Sequence, residues 1–448
     1  MHSLMRWAVA AALVSGAAMA SDLRLIDAVK RRDPKAVAAL LHEKANVNEV
    51  QPGGGTALAW AAQFGNHQIT DLLLAAGANV NLASEYGETP LTLAAQNGDS
   101  VMIAKLLKAG ANANAARWNG ETALMIASGT GNVEAVDQLI AAGADSSAAE
   151  ARKGQTALMW AAAEGHSGVV RLLIAKGANV KAVSKNGYSP LFFAVIKGDA
   201  PSVEALLGAG ADANSKLPDG TAALTVAASY RNSRAALALL ENGANPNVAD
   251  RGGNTVLHAA SQFGNVELVR KLLAKDANVS ALTPTTSRSG GGGGGFRGPT
   301  SGQSPLFLAA RAGHIEVMRA LLDAGADPAA KSPDGGTLLM AAVGSANVEA
   351  VKFAYQHDKD AKAVTNDGTT LMHASVTGTA NGATPEAQER ICEVIRFLAE
   401  KGAPVDELNS MGATPIDLAI GLPIDKAVDL FTELILKSGA KPKSSAKR

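Results

Sequence analysis

Apolar and polar positions recur along this chain in blocks of about thirty-three residues. Each block opens with Gly, a variable residue and Thr or Ser, followed by Pro, Ala or Val and then Leu. A short Ala-rich run leads to Gly with Asn, Asp or His, and a second apolar run ends in Leu-Leu-x-x-Gly-Ala before Asn or Asp. The Thr/Ser position falls at Thr56, Thr89, Thr122, Thr156, Ser189, Ala222, Thr255, Ser304, Thr337, Thr370 and Thr414, in steps of 33, 33, 34, 33, 33, 33, 49, 33, 33 and 44 residues. Each block predicts two short helices. The hydroxyl caps the first by accepting a backbone N–H, and Pro90, Pro190, Pro305 and Pro415 sit at its first position, where a missing N–H costs nothing. Small pairs such as Ala94-Ala95 and Ala161-Ala162 let neighbouring helices approach. Gly65, Gly98, Gly131, Gly165, Gly198, Gly264 and Gly313 turn the chain into the second helix. Gly77, Gly110, Gly143, Gly177, Gly210, Gly243, Gly325, Gly402 and Gly439 end that helix at positive φ.

The stretch 21–50 has the same two-helix pattern without the opening motif, as an N-terminal cap would. Asp276 and Asp358 replace the terminal glycine, and Asp tolerates the left-handed region better than most residues. The unit Thr337–Ala363 is expected to be the softest, because Phe353-Ala354-Tyr355-Gln356-His357 stands where others have Leu-Leu. The 49-residue step contains an insertion, 283–303, with six consecutive glycines, which predicts a flexible loop in place of a hairpin tip. It lacks the Gly-Lys-[Ser/Thr] ending of a phosphate-binding loop. A second insertion, 378–389, contains Thr384-Pro385-Glu386, a new helix start.

These motifs resemble the ankyrin repeat, whose period and T-P-L-H-x-A signature stand here as TPLTLAA from Thr89 and TVLHAAS from Thr255. The resemblance implies a mostly α solenoid of about twelve helix-turn-helix units with β-hairpin connections. Repeats 1–8 with their cap would occupy 21–282, and repeats 9–12 304–440. It also implies that His258 and His373, at the signature His position, join hydrogen bonds between adjacent repeats. The other units hold residues such as Ala59, Met125, Phe192 or Met340 there.

Composition agrees with a repeat array. At 448 residues the chain exceeds the roughly 250–300 at which one core stops growing. Aromatic residues are only 4% and charged residues 18%, and the formal net charge is zero. That balance asks for neither nucleic acid nor an anionic membrane, and no run of about eighteen apolar residues predicts a transmembrane helix. Residues 1–20 read as a signal peptide: Arg6, the apolar run Trp7 to Ala20, and Ala18-Met19-Ala20 before Ser21. A periplasmic or secreted protein, cleaved between Ala20 and Ser21, is therefore expected. The only cysteine, Cys392, lies in a helical run, which leaves no lipid-anchor cysteine and no internal disulfide and predicts a buried, inert thiol. The tail 441–448 is basic and low in apolar content, as a solvated segment would be.

No H-E-x-x-H, C-x-x-C or G-x-S-x-G arrangement occurs, so no catalytic residue, metal site or cofactor is expected. His166 and His314 fill the helix-start position. Trp60 and Trp160 share a first-helix position that reads as core. The resemblance implies binding of another protein in a groove lined by hairpin tips and first helices. Residues that vary between units there are the candidates, and they include Tyr86, Glu88, Trp118, Glu121, Arg152, Lys153, Gln155, Lys185 and Tyr188 around the tips, and Phe64, Gln96, Asn97, Glu164, Lys197, Tyr230, Phe263 and Arg311 toward the helix ends. Aromatic and Arg side chains are typical anchors, and the mixed charges favour a protein over nucleic acid. Two other readings remain: a self-associating surface protein, and an enzyme or ligand binder using the Gly-rich insertion.

Overall fold

The computed structural model describes residues 22–284, 302–378, 384–422 and 424–437. The proposed signal segment, most of the Gly-rich insertion and the basic tail lie outside these residues, as does Gly439. The described residues form twelve pairs of short helices, from Arg24–Lys30 with Pro34–His42 to Pro415–Gly421 with Asp425–Lys437. The chain divides into two compact units. One runs to Ala161 and adds Ala175–Ala178; the other combines Ala162–Ile174 with the chain from Asn179.

Most of these helices span six to ten residues, too few to be stable alone in water. Packing against neighbours supplies the stability. In the second unit Pro305–Arg311 lies between Val256–Gln262 and Leu338–Val343. The Ala pairs and the apolar stripe of each second helix (Val317, Met318 and Leu321, for instance) are fully buried. The motif hydroxyls cap as expected: Thr56 Oγ1 accepts from the Ala59 N–H at 3.1 Å, and Thr414 Oγ1 from the Asp417 N–H at 3.2 Å. Ser189 makes no such bond, and Thr156 Oγ1 is buried without a hydrogen-bond partner.

Connections between repeats are hairpin-like, but each pairing is a single antiparallel bridge, such as Val50 with Thr56 or Val364 with Thr370. No longer strand forms among the described residues. Successive tips are joined by one backbone bond, as from Trp118 N–H to the Tyr86 carbonyl at 3.0 Å. A second link comes, in several repeats, from an asparagine two residues after the Gly-Ala-Asn/Asp sequence. Asn214 donates from Nδ2 to the Gly243 carbonyl at 2.9 Å, and its Oδ1 accepts from the Asn245 N–H at 2.8 Å. Asn81, Asn114 and Asn247 make equivalent pairs of bonds. A third link uses the turn between the two helices: Asn132 Nδ2 reaches the Gly98 carbonyl and Asn232 Nδ2 the Val195 carbonyl.

Both signature histidines bridge repeats. His258 Nε2 lies 3.0 Å from the Ala281 carbonyl, and His373 Nε2 lies 3.0 Å from that of Ala413. His314 starts its helix without capping it and instead reaches the Gln262 carbonyl at 3.2 Å. Cys392 is buried, and burial pushes its thiol pKa up.

At the two non-glycine helix ends the expectation splits. Asp276 takes φ 61°. Asp358 does not enter the left-handed region: its φ is −132° and ψ 100°. The helix Val348–His357 ends there in extended chain, and the freed Asp358 carboxylate accepts from the Leu339 N–H at 2.9 Å. The aromatic run in that helix is packed, with Arg319 over the Phe353 ring at 5.0 Å and Tyr355 edge-on to Phe397 at 5.7 Å. Thr384 starts a new helix, Pro385–Glu400, as its sequence predicts, by accepting from the Ala387 N–H. The ends of the Gly-rich insertion close on each other. Thr283 N–H donates to the Gln303 carbonyl, and the Gly302 and Gln303 N–H groups donate back to Thr283. The insertion therefore leaves and rejoins the fold at one tip.

Candidate interaction surface

In the first unit the tips after Ser84 and Arg117 carry the most exposed aromatics, Tyr86 at 62% and Trp118 at 75%. Their backbones are tied together, and Arg117 fixes the base of the pair. Its guanidinium lies 3.3 Å from Glu88 Oε1 and 3.3 Å from Glu121 Oε2, and donates to Gln96 Oε1 at 2.8 Å. Glu88 and Glu121 thus hold Arg117 and position the tips, so neither presents a free charge. Arg152 and Lys153 are exposed on the next tip. That tip is built on Glu150, whose carboxylate accepts from the backbone N–H groups of Arg152, Lys153 and Gln155 at 2.7, 2.6 and 3.1 Å. Burial pushes the Glu150 pKa up, but these three donors outweigh it and hold the carboxyl below its usual value.

Phe64 is half-buried, 5.5 Å from the Trp60 ring with the Arg32 guanidinium 4.9 Å above it. Trp60 and Trp160 are half-buried with their indole N–H groups unpartnered. A Cβ at Gly129 would come within 3.2 Å of the Trp160 ring, so Trp160 covers its neighbouring repeat, in keeping with a packing role.

In the second unit Tyr188 is half-buried against Phe192 and Phe193, at 6.1 and 5.8 Å. Tyr230 is 58% exposed, and Phe263 43% exposed with Arg231 stacked on it at 4.0 Å. Of the residues expected to bind, the structure leaves Tyr86, Trp118, Arg152, Lys153, Tyr230 and Phe263 facing solvent, while Phe64 and Tyr188 largely pack on their own units. Sequence reading missed exposed apolar residues six positions before the motif hydroxyl: Val183 (64%), Val364 (53%) and Leu408 (48%). Only their exposure distinguishes them from core residues.

It also missed a cleft of about 370 Å³ in the second unit. The first helices of the Ser304, Thr337 and Thr370 units line it with Phe307, Arg311, Met340, Ala341, Ala374 and Thr377. Tip residues Asp334 and Asp367 form its edge, and Leu418 closes one side. Its cause lies in side-chain size. Four residues after the motif hydroxyl most other units hold a larger side chain, such as Leu93, Trp160, Phe193, Leu308 and Leu418; Ala259 stands between Val226 and Leu308, but Ala341 and Ala374 fall in consecutive units. Three further on stand Gly344 and Thr377. Gly378 brings its backbone onto Gly344 so closely that a Cβ there would lie 2.3 Å from the Gly344 oxygen.

Among the described residues no group of three or more His, Cys, Asp or Glu is placed to hold a metal ion. None of their helices is long and apolar enough to cross a membrane. His258, His314 and His373 serve inter-repeat bonding. No curated protein matches the chain. The family model described as ankyrin repeats (3 copies) matches residues 25–117, 94–184, 124–216, 191–283 and 306–384. Ankyrin repeats are in general protein-interaction modules. With its helix pairs, inter-repeat histidines and this match over most of its length, the chain belongs to the ankyrin-repeat family.

Proposed function

We propose that this protein is a non-catalytic scaffold that binds another protein outside the cytoplasm, through its hairpin tips and first-helix surfaces. The observation that carries the reading is the adjacent pair Tyr86 and Trp118. Two large aromatics stand exposed on tips that are rigidly held from below by Arg117. Exposed aromatics on a fixed support lose little entropy on binding and are frequent hot spots. The location rests on the sequence alone, on Arg6, the apolar run to Ala20 and the small residues Ala18 and Ala20.

The test is capture from the native cell-envelope fraction with the chain from Ser21 onward, beside a Tyr86→Ala/Trp118→Ala variant. Neither side chain supports the core, so the variant should melt with the wild type. Its affinity for the captured protein should fall by about 30-fold or more, corresponding to roughly 2 kcal/mol. Finding the native protein in the cytosolic fraction with residues 1–20 intact would defeat the location. Equal capture by both proteins would defeat the role of the tips.

A further inference from the structure

We propose that the cleft between the Ser304 and Thr414 units is a second binding site. It would take an extended segment of a partner protein that places one large apolar side chain in the cleft, with Lys or Arg on the tip side and an acidic residue toward Arg311. The proposal rests on the reading of this chain as a protein-binding scaffold and states what one part of its first-helix surface, away from Tyr86 and Trp118, would take. About 370 Å³ is at the small end of ligand-sized pockets. It suits one bulky side chain with its flanking backbone, and the floor of Met340, Ala341, Ala374 and Leu418 is apolar.

Charge gives the cleft a direction. First helices begin at the tips, so Asp334 and Asp367 lie at one end of the cleft and Arg311, the last residue of Pro305–Arg311, at the other. One oxygen of Asp334 is held by the Ser332 hydroxyl, and one oxygen of Asp367 by the Thr365 hydroxyl and the Thr369 N–H. Neither carboxylate is in an ion pair among the described residues, and neither is Arg311. Other tips carry both kinds of charge: Arg117 is clamped and Arg251 pairs with Asp219, while Arg152 and Lys153 stand exposed. Here one unmatched cation and two unmatched anions border the same apolar floor, which complements a segment carrying the opposite charges in the opposite order.

Displayed random peptides selected on the chain from Ser21 supply the probe. The recovered peptides are then measured on three variants: Ala341→Leu/Ala374→Leu, Asp334→Asn/Asp367→Asn, and Tyr86→Ala/Trp118→Ala. Leucine at 341 and 374 reproduces what Leu93 and Leu308 already are in their units, so the filled protein should fold. Asn at 334 and 367 can still accept the turn hydrogen bonds, which keeps the question open if the filled variant is unstable. The expected peptides share a large apolar residue beside Lys or Arg. Their binding should fall at least tenfold in the filled and the Asn variants and be unchanged in the tip variant.

Failure to enrich any such peptide overturns the proposal, as does binding that survives the filled cleft and the Asn variants. Peptides lost only in the tip variant overturn it while supporting the tip reading. A wild-type dimer that becomes a monomer when the cleft is filled would identify a second copy of the chain as the occupant, and would also overturn it.

Discussion

Two histidines show how much a single side chain links in this array. The backbone N–H of Thr255 points at His258 Nδ1 from 3.1 Å, and that of Thr370 at His373 Nδ1 from 3.2 Å. A nitrogen facing a donor must accept, so the ring proton sits on Nε2 and is donated to the next repeat. Burial lowers both imidazole pKa values, against the opposing pull of those carbonyls. The unfolded chain takes up these protons near pH 6.5 while the folded chain does not. The unfolded state therefore binds more protons as pH falls through that value, and stability decreases there until the native rings also protonate. Melting temperature should drop between about pH 7.5 and pH 5, and His373→Gln should shallow that slope. A melting temperature that is level or rises on acidification would contradict the assignment. The signature position of these residues could be seen in the sequence, but the acceptors could not. Ala281, Gln303 and Ala413 are 23 to 45 residues away, and only the stacking of repeats places their carbonyls.

At the scale of the element, the hydroxyl, proline and glycine punctuation sets where each helix begins and ends, because those signals are local. It failed where a tertiary partner was available: Asp358 leaves the helix in extended form and caps Leu339 across its own unit. Beside the apolar packing, an asparagine ladder links several neighbouring repeats. Asn214→Ala removes two bonds between neighbouring repeats, each worth a net of about 0.5–1.5 kcal/mol. We expect a loss of about 1–2 kcal/mol in urea unfolding of the second unit, because water can replace part of each bond at this exposed edge. A loss indistinguishable from zero would show that the ladder follows the stacking and does not support it. Its residues are plain in the repeat as Asn after Gly-Ala-Asn/Asp. Their double role follows only from the distance of about one repeat between each amide and its partners.

At the scale of the whole molecule, each helix pair buries its apolar face on its neighbours, so stability is close to a sum of repeat and interface contributions. Leu321 is fully buried in Ile315–Asp323. Leu321→Ala should cost about 3 kcal/mol. Hydrogen exchange should accelerate mainly in Ile315–Asp323 and the helices packed on it, Pro305–Arg311, Val266–Leu273 and Val348–His357. Uniform acceleration across the whole second unit would instead indicate one indivisible core. The same one-dimensional organisation explains why a cleft can exist without harming the fold. Small residues at 341 and 374 remove material only from the outer wall of two units, while Leu338, Leu339, Leu371 and Met372 remain buried behind it.

The sequence by itself determined the family, the repeat register, most helix ends and the absence of any catalytic motif, because these depend on residue types at short, fixed spacings. It also marked Trp118 and Tyr86 as variable positions, since a repeat makes a variable position visible against constant ones. Only the tertiary structure decided which variable residues are free. Glu88 and Glu121 are held by Arg117, Phe64 and Tyr188 lean on their own units, and Ala341 and Ala374 open a cleft that neither alanine signals alone. The physical reason is that availability to a partner depends on what surrounds a side chain, and those surroundings come from residues one repeat away.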